Sequence, residues 1–189
     1  MNELPLYSPL VVRALELAAV WHKGQLRKSP TQEIPYIAHP AFVGMLLQKA
    51  GYDDETIAAG ILHDVLEDCG VSPEELAAST TPRVASLVMS VSEDGRERNW
   101  AARKMAYREV LESAPEEALA IAAVDHLSNI RSIVDMAKVS ADVWSVFFAS
   151  KKDRLAHEEA VLDVIARRLS GPLVEELRHS IELLRELPE

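Results

Sequence analysis

Cysteine is nearly absent: Cys69 stands alone in 189 residues. No internal disulfide can form, and the chain suits a reducing compartment. A packed thiol is the expected role. No stretch approaches the roughly eighteen consecutive apolar residues of a membrane span. Met1-Asn2-Glu3-Leu4-Pro5 lacks the basic region and apolar run of an export signal. These absences predict a soluble cytoplasmic protein with no membrane partner. Glycine is scarce, with seven residues, and aromatic residues make up 5% of the chain. Nothing reads as a series of strands, so the expectation is all-α. Positive charge is also short. Twenty Lys and Arg face thirty Asp and Glu, for a formal net charge of -10, which repels a nucleic-acid backbone. Extended DNA or RNA is therefore not an expected partner, and an anionic ligand must be met by a local group of cations.

What is present is a chain with 48% hydrophobic residues, enough to close one core and too few for two. We expect one domain over 1-189. Ala, Leu, Glu and Arg abound, and they lose little rotamer freedom in a helix. Leu10, Ala14, Leu17, Ala18 and Trp21 recur at helical spacing after a candidate cap at Ser8, predicting a first helix from Pro9 to Trp21. Gly24, Ser29, Pro30 and Pro35 then break the period, leaving a polar loop that carries Arg27 and Lys28. A second helix is expected from Pro40 to about Ala50, and a third from Asp53 or Asp54 through Cys69. Further helices are expected at Pro73 to Ser79, Pro82 to Val91, Asn99 to Ser113, Pro115 to Met136, Ala141 to Leu169 and Pro172 to Leu187.

The chemistry concentrates in Ile61-Leu62-His63-Asp64-Val65-Leu66-Glu67-Asp68. Helical spacing places His63, Asp64, Glu67 and Asp68 along one broad stripe. Burying them without a compensating cation is costly, and a divalent metal is the natural compensation. An isolated His-Asp pair also fits a solvated acidic helix end. Two further groups extend the set: His39 in Pro35-Tyr36-Ile37-Ala38-His39-Pro40, and Asp125 in Ala123-Val124-Asp125-His126-Leu127-Ser128-Asn129. Two imidazoles and two carboxylates suit manganese or iron and tolerate zinc or cobalt.

Taken in order, these segments, with His22-Lys23-Gly24-Gln25 and Arg27-Lys28-Ser29 before them, resemble the HD superfamily. Within it they resemble the RelA/SpoT-type hydrolases that remove pyrophosphate from guanosine 3′,5′-bis(diphosphate). The resemblance runs from His22 to about Leu155 and points to the small, single-domain alarmone hydrolases, which also carry a segment like Trp100-Ala101-Ala102-Arg103-Lys104-Met105-Ala106-Tyr107. It implies an HD-type helical bundle. His39, His63, Asp64 and Asp125 would ligate Mn2+, with iron, cobalt or zinc as other candidates, and Glu67 and Asp68 would form an acid/base pair. Water would attack the phosphorus on the 3′ oxygen, giving GDP or GTP and pyrophosphate. Arg27 would stack on guanine with Lys28 and Ser29 nearby. Asn129 would reach the ribose or phosphate, and Arg103 and Lys104 the pyrophosphate.

Two segments depart from the family pattern. His126 and Ser128 replace the arginine and histidine of Asp-Arg-Leu-His-Asn, and Ala156-His157-Glu158-Glu159 replaces an aromatic run. Hydrolysis of another nucleotide, such as a phosphorylated dinucleotide cofactor, and non-catalytic nucleotide sensing therefore stay open. His22 is expected either close to the pocket or in a structural hydrogen bond, and His126, His157 and His179 are expected to be structural or exposed. Trp21, Trp100 and Trp144 are expected in packing, and Tyr36 in either role.

Overall fold

The computed structural model describes residues 6–29, 31–93, 99–140 and 143–188. The N-terminal five residues, Pro30 and the expected helix start at Ala141 lie outside that set. The described residues form helices, with one isolated antiparallel bridge between Leu26 and Pro35. In chain order the helices are α1 (Pro9–Trp21), α2 (Ala38–Lys49), α3 (Asp54–Leu62), α4 (Val65–Asp68), α5 (Pro73–Ser79), α6 (Pro82–Met89), α7 (Trp100–Ser113), α8 (Glu116–Ala137), α9 (Lys151–Ala166) and α10 (Pro172–Glu186).

Local chemistry explains most boundaries. The side chains of Ser8, Asp53, Ser72, Thr81, Asn99 and Ser150 each accept from a backbone N–H in the first turn of the helix that follows. Such caps satisfy donors that have no intrahelical partner. Proline enters the first turn of α1, α5, α6 and α10, where its missing N–H is no loss.

The structure corrects two expected helices. The one expected from Asp53 or Asp54 to Cys69 stops at Leu62 and restarts at Val65. His63 Nδ1 donates to the Gly60 carbonyl at 2.8 Å, taking the acceptor that a continuing helix would offer the Asp64 N–H. His63, Asp64, Glu67 and Asp68 therefore straddle a break rather than share one helical stripe. The helix expected from Ala141 to Leu169 is also divided. A 3-10 turn at Val143–Val146 precedes the Ser150 cap, and α9 begins at Lys151.

Helix α3 lies at the centre. Every residue from Thr56 to Leu62 is buried, and α1, α2, α6 and α8 all pack against it. The first half of α8 is equally dry, with Ala118 to Val124 buried, while α10 covers α8 and α9. Helices α2 and α3 approach through two glycines. A Cβ on Gly44 would meet Ile61 Cγ1 at 2.5 Å, and one on Gly60 would run into Leu47 Cδ1. That close approach carries His39 and His63 toward each other.

Candidate metal centre and flanking cavities

Four side chains converge from separate elements. His39 comes from the first turn of α2, His63 from the end of α3, Asp64 from the break and Asp125 from the middle of α8. His39 Nε2 lies 3.2 Å from His63 Nε2, 3.1 Å from Asp125 Oδ1 and 3.5 Å from Asp64 Oδ2. His63 Nε2 lies 3.1 Å from Asp64 Oδ2 and 3.4 Å from Asp125 Oδ1. Donor atoms of His39, His63 and Asp125 all fall within 4.8 Å of one another. The imidazoles are almost fully enclosed and the carboxylates retain limited exposure.

Burial opposes charge on His63, yet Asp64 and Asp125 outweigh it and raise its pKa well above the ordinary value. Burial would also raise Asp64 and Asp125, but His63 and His39 hold both carboxyls well below the usual range. The donor set fits a divalent cation. Because a carbonyl only accepts, the Gly60 contact leaves the proton of neutral His63 on Nδ1 and turns the Nε2 lone pair to the centre.

A surrounding layer holds these groups in place. His39 Nδ1 meets Ser128 Oγ at 2.8 Å, and Tyr36 Oη donates to Asp64 Oδ2 at 2.6 Å. Burial and then Asp64 push the Tyr36 phenol far above its usual pKa, so it remains a donor. Asn129 Nδ2 donates to Asp125 Oδ1 at 2.7 Å. Arg27 Nη2 in turn donates to Asn129 Oδ1 and Ser132 Oγ, both at 3.0 Å. The bridge near Leu26 sets up that reach: Arg27 N donates to Ile34 O and Tyr36 N to Gln25 O, so Arg27 lies 5.5 Å from the Tyr36 ring centroid.

Three cavities lie around the centre and the side chains that brace it. The largest, about 440 Å³, touches His39 and is lined by Arg27, Lys28, Ser29 and Arg131. A second, about 310 Å³, lies among Arg27, Lys28, Tyr36, Asp68, Phe147 and Arg154. The third, about 150 Å³, contains His63, Asp64, Asp125, Glu67 and Lys104. Local cations thus gather in an acidic protein. Burial, with Arg154 and Arg27 close by, lowers the Lys28 pKa. Burial raises the Glu67 carboxyl to about 7 despite a bond from the Glu93 N–H at 2.7 Å.

Residues 14–154 match the HD domain. The chain belongs to the HD domain family. It is 31% identical over 160 residues to a guanosine-3′,5′-bis(diphosphate) 3′-pyrophosphohydrolase of Aquifex aeolicus, covering 84% of this chain and 21% of that protein. A probable enzyme of the same name from Synechocystis is 46% identical over 83 residues, covering 44% of this chain and 10% of its own length. The chain thus spans about a fifth or less of these two relatives. A solved structure described as a metazoan ortholog of SpoT that hydrolyzes ppGpp superposes with a TM-score of 0.79 at 25% identity. That match covers 98% of this chain and all of the other. Members of the HD domain family bind divalent metal, in keeping with the His39, His63 and Asp125 grouping.

The structure brings the expected residues together unevenly. His39, His63, Asp64, Asp125 and Glu67 surround one centre, while Asp68 faces the cavity that holds Arg27. Arg103 and Lys104 are tied to Glu93. Ser29 accepts from the N–H groups of Thr31 and Gln32 within its own loop. Asn129 spends its amide on Asp125 and Arg27. Glu93 and Arg154 carried no sequence signal for a site role. His126 and His157, expected to be structural or exposed, are both buried and line the third cavity. The departures from the family pattern at 126 and 156 to 159 were the available signal.

Proposed function

We propose that this protein removes pyrophosphate from the 3′ position of guanosine 3′,5′-bis(diphosphate), leaving GDP, or GTP from the pentaphosphate. Its metal would be manganese, held by His39, His63, Asp64 and Asp125, and its setting the cytoplasm, with a free nucleotide as partner. The observation that carries this reading is the convergence of those four side chains between cavities lined by cations. The activities named for the Aquifex and metazoan relatives support the choice of substrate.

A bound divalent cation supplies Lewis acidity at phosphoryl oxygens and makes water easier to deprotonate. In the proposed reaction, water adds to the phosphorus on the 3′ oxygen, the bond from that phosphorus to the oxygen breaks, and the oxygen takes a proton. Glu67, with its pKa near neutrality, is suited to receive the proton from water. Asp68, one residue on and facing the Arg27 cavity, is placed to act on the nucleoside side. Arg27, Lys28 and Ser29 line the space for the nucleoside, and Lys104 stands beside Glu67 for the departing pyrophosphate.

The test is ion-exchange analysis of products after incubation with manganese and the tetraphosphate. GDP and pyrophosphate should appear, and both should be lost in Asp64→Ala and Glu67→Ala. An intact tetraphosphate with metal confirmed bound would overturn the reading. The His157-Glu158 wall favours a second reading, another phosphorylated nucleotide as substrate, which a substrate panel would reveal.

A further inference from the structure

The third cavity has an inner wall that the proposed reaction has not used. His126 Nδ1 and Glu158 Oε2 form a buried ion pair at 2.5 Å. His157 lies beside them, 4% exposed, with its ring centroid 5.5 Å from that of His126. Arg108 Nη1 contacts His157 Nδ1 at 3.3 Å. A guanidinium only donates, so Nδ1 is the acceptor and the ring proton sits on Nε2. Burial, and then the charge of His126, hold this imidazole neutral by lowering its pKa. His157 Nε2 is buried and finds no hydrogen-bond partner among the described residues. Arg154 Nε is in the same state, with Glu158 Oε1 at 3.7 Å, beyond bonding distance. Both residues line the cavity that contains His63, Asp64 and Asp125.

Two unsatisfied buried donors beside a metal-ligand set call for an acceptor, and each costs stability until one arrives. On the wall formed by His157 and Arg154, the nearby carboxylates are offset, while Asp64 and Asp125 belong to the proposed metal set on the other side. Glu158 is neutralised by His126, and Glu93 is bonded by Arg103 and Lys104. At about 150 Å³ the space is well below the 300 Å³ or more of a drug-sized site, but it takes a phosphoryl group.

We propose that His157 Nε2 and Arg154 Nε form an oxyanion subsite that holds phosphoryl oxygens of the pyrophosphate leaving group. This assignment rests on the proposed reaction, but its ligand can be probed directly.

Equilibrium dialysis with inorganic pyrophosphate, and in parallel with GDP, at a fixed excess of manganese reads the subsite without turnover. His157→Phe should weaken pyrophosphate binding about tenfold or more and leave GDP binding and metal content unchanged. His157→Gln, whose amide N–H can reach the Nε2 position, should retain it. If His157→Phe does not fold, Arg154→Met should likewise weaken pyrophosphate, and the GDP comparison is then made with His157→Leu, because Arg154 also lines the cavity of Arg27 and Lys28. Unchanged pyrophosphate binding in the folded variants would overturn the subsite, even if the tetraphosphate is hydrolysed. A loss confined to GDP would overturn the leaving-group assignment, because the subsite would then hold the 5′ diphosphate. A His157-dependent pyrophosphate site in a protein that leaves the tetraphosphate intact would uphold the subsite while overturning the substrate reading.

Discussion

His39 Nδ1 and Ser128 Oγ meet at 2.8 Å although 89 residues separate them. The contact ties α2 to α8 and fixes the plane of a ring whose other nitrogen faces the candidate metal centre. Partners of this kind typically set metal affinity by about 10–100-fold. Ser128→Ala should therefore weaken divalent-cation binding, probed with manganese, about tenfold while leaving the helical content intact. Titration followed by the free-manganese electron paramagnetic resonance signal would measure this. Unchanged affinity would mean that α2 alone orients the ring.

The glycine contacts between α2 and α3 predict a different kind of loss. In Gly60→Ala the new methyl runs into Leu47, which has no exposed surface to retreat into. Overpacking of this type costs about 1–3 kcal/mol. Denaturant unfolding of the metal-free protein should show that loss, and metal occupancy should fall with it because Gly60 also supplies the carbonyl that holds His63.

Glu67 gives a pH dependence with a definite sign. Its pKa rises from 4.5 to about 7 in the folded protein because burial disfavours the carboxylate. Between those values the folded chain keeps a proton that the unfolded chain has lost. This contribution to stability is complete below about pH 4.5 and disappears as pH rises through about 7. Glu67→Gln, measured without metal, should remove up to about 1.4 kcal/mol per pH unit of that decline. Parallel curves for the two proteins would show that Glu67 titrates normally.

Removing one member of the His126-Glu158 pair leaves the other buried without the partner that offsets its desolvation. Glu158→Ala should cost about 3–5 kcal/mol, visible as a lower denaturation midpoint, whereas Glu159→Ala at the exposed Arg185 pair should cost less than about 1 kcal/mol. Equal losses would show that the buried pair is no more important to stability than a surface one.

Much of this arrangement was legible in the residues. Period, caps and prolines located α1, α5, α6, α7, α8 and α10 closely, because these signals act within a turn or two of the chain. The break at His63-Asp64 was not legible, since it depends on a ring nitrogen turning back to the Gly60 carbonyl. Spacing grouped only His63 with its neighbours up to Asp68; it was the resemblance to the HD superfamily that implied His39, His63, Asp64 and Asp125 as one donor set. The Tyr36-Asp64 and Arg27-Asn129 contacts were hidden because residues far apart in the chain meet only after folding. His126 and His157 looked ordinary for the same reason: neither shows a role until α8 and α9 bring His126 against Glu158 and His157.

The two glycines at the α2–α3 crossing divide the molecule's capacity for change. The positions of His39 and His63 depend on a core crossing, whereas the cavity walls also draw on the loop around Arg27, on α7, on the outer face of α8 and on α9. Substitutions in those walls can alter which molecule is accepted without moving the two imidazoles. A small helical scaffold built this way offers designers a fixed candidate centre with replaceable surroundings, and new selectivity should be sought at Lys28 and Phe147 before the Arg27-Asn129 contact that braces Asp125 is touched.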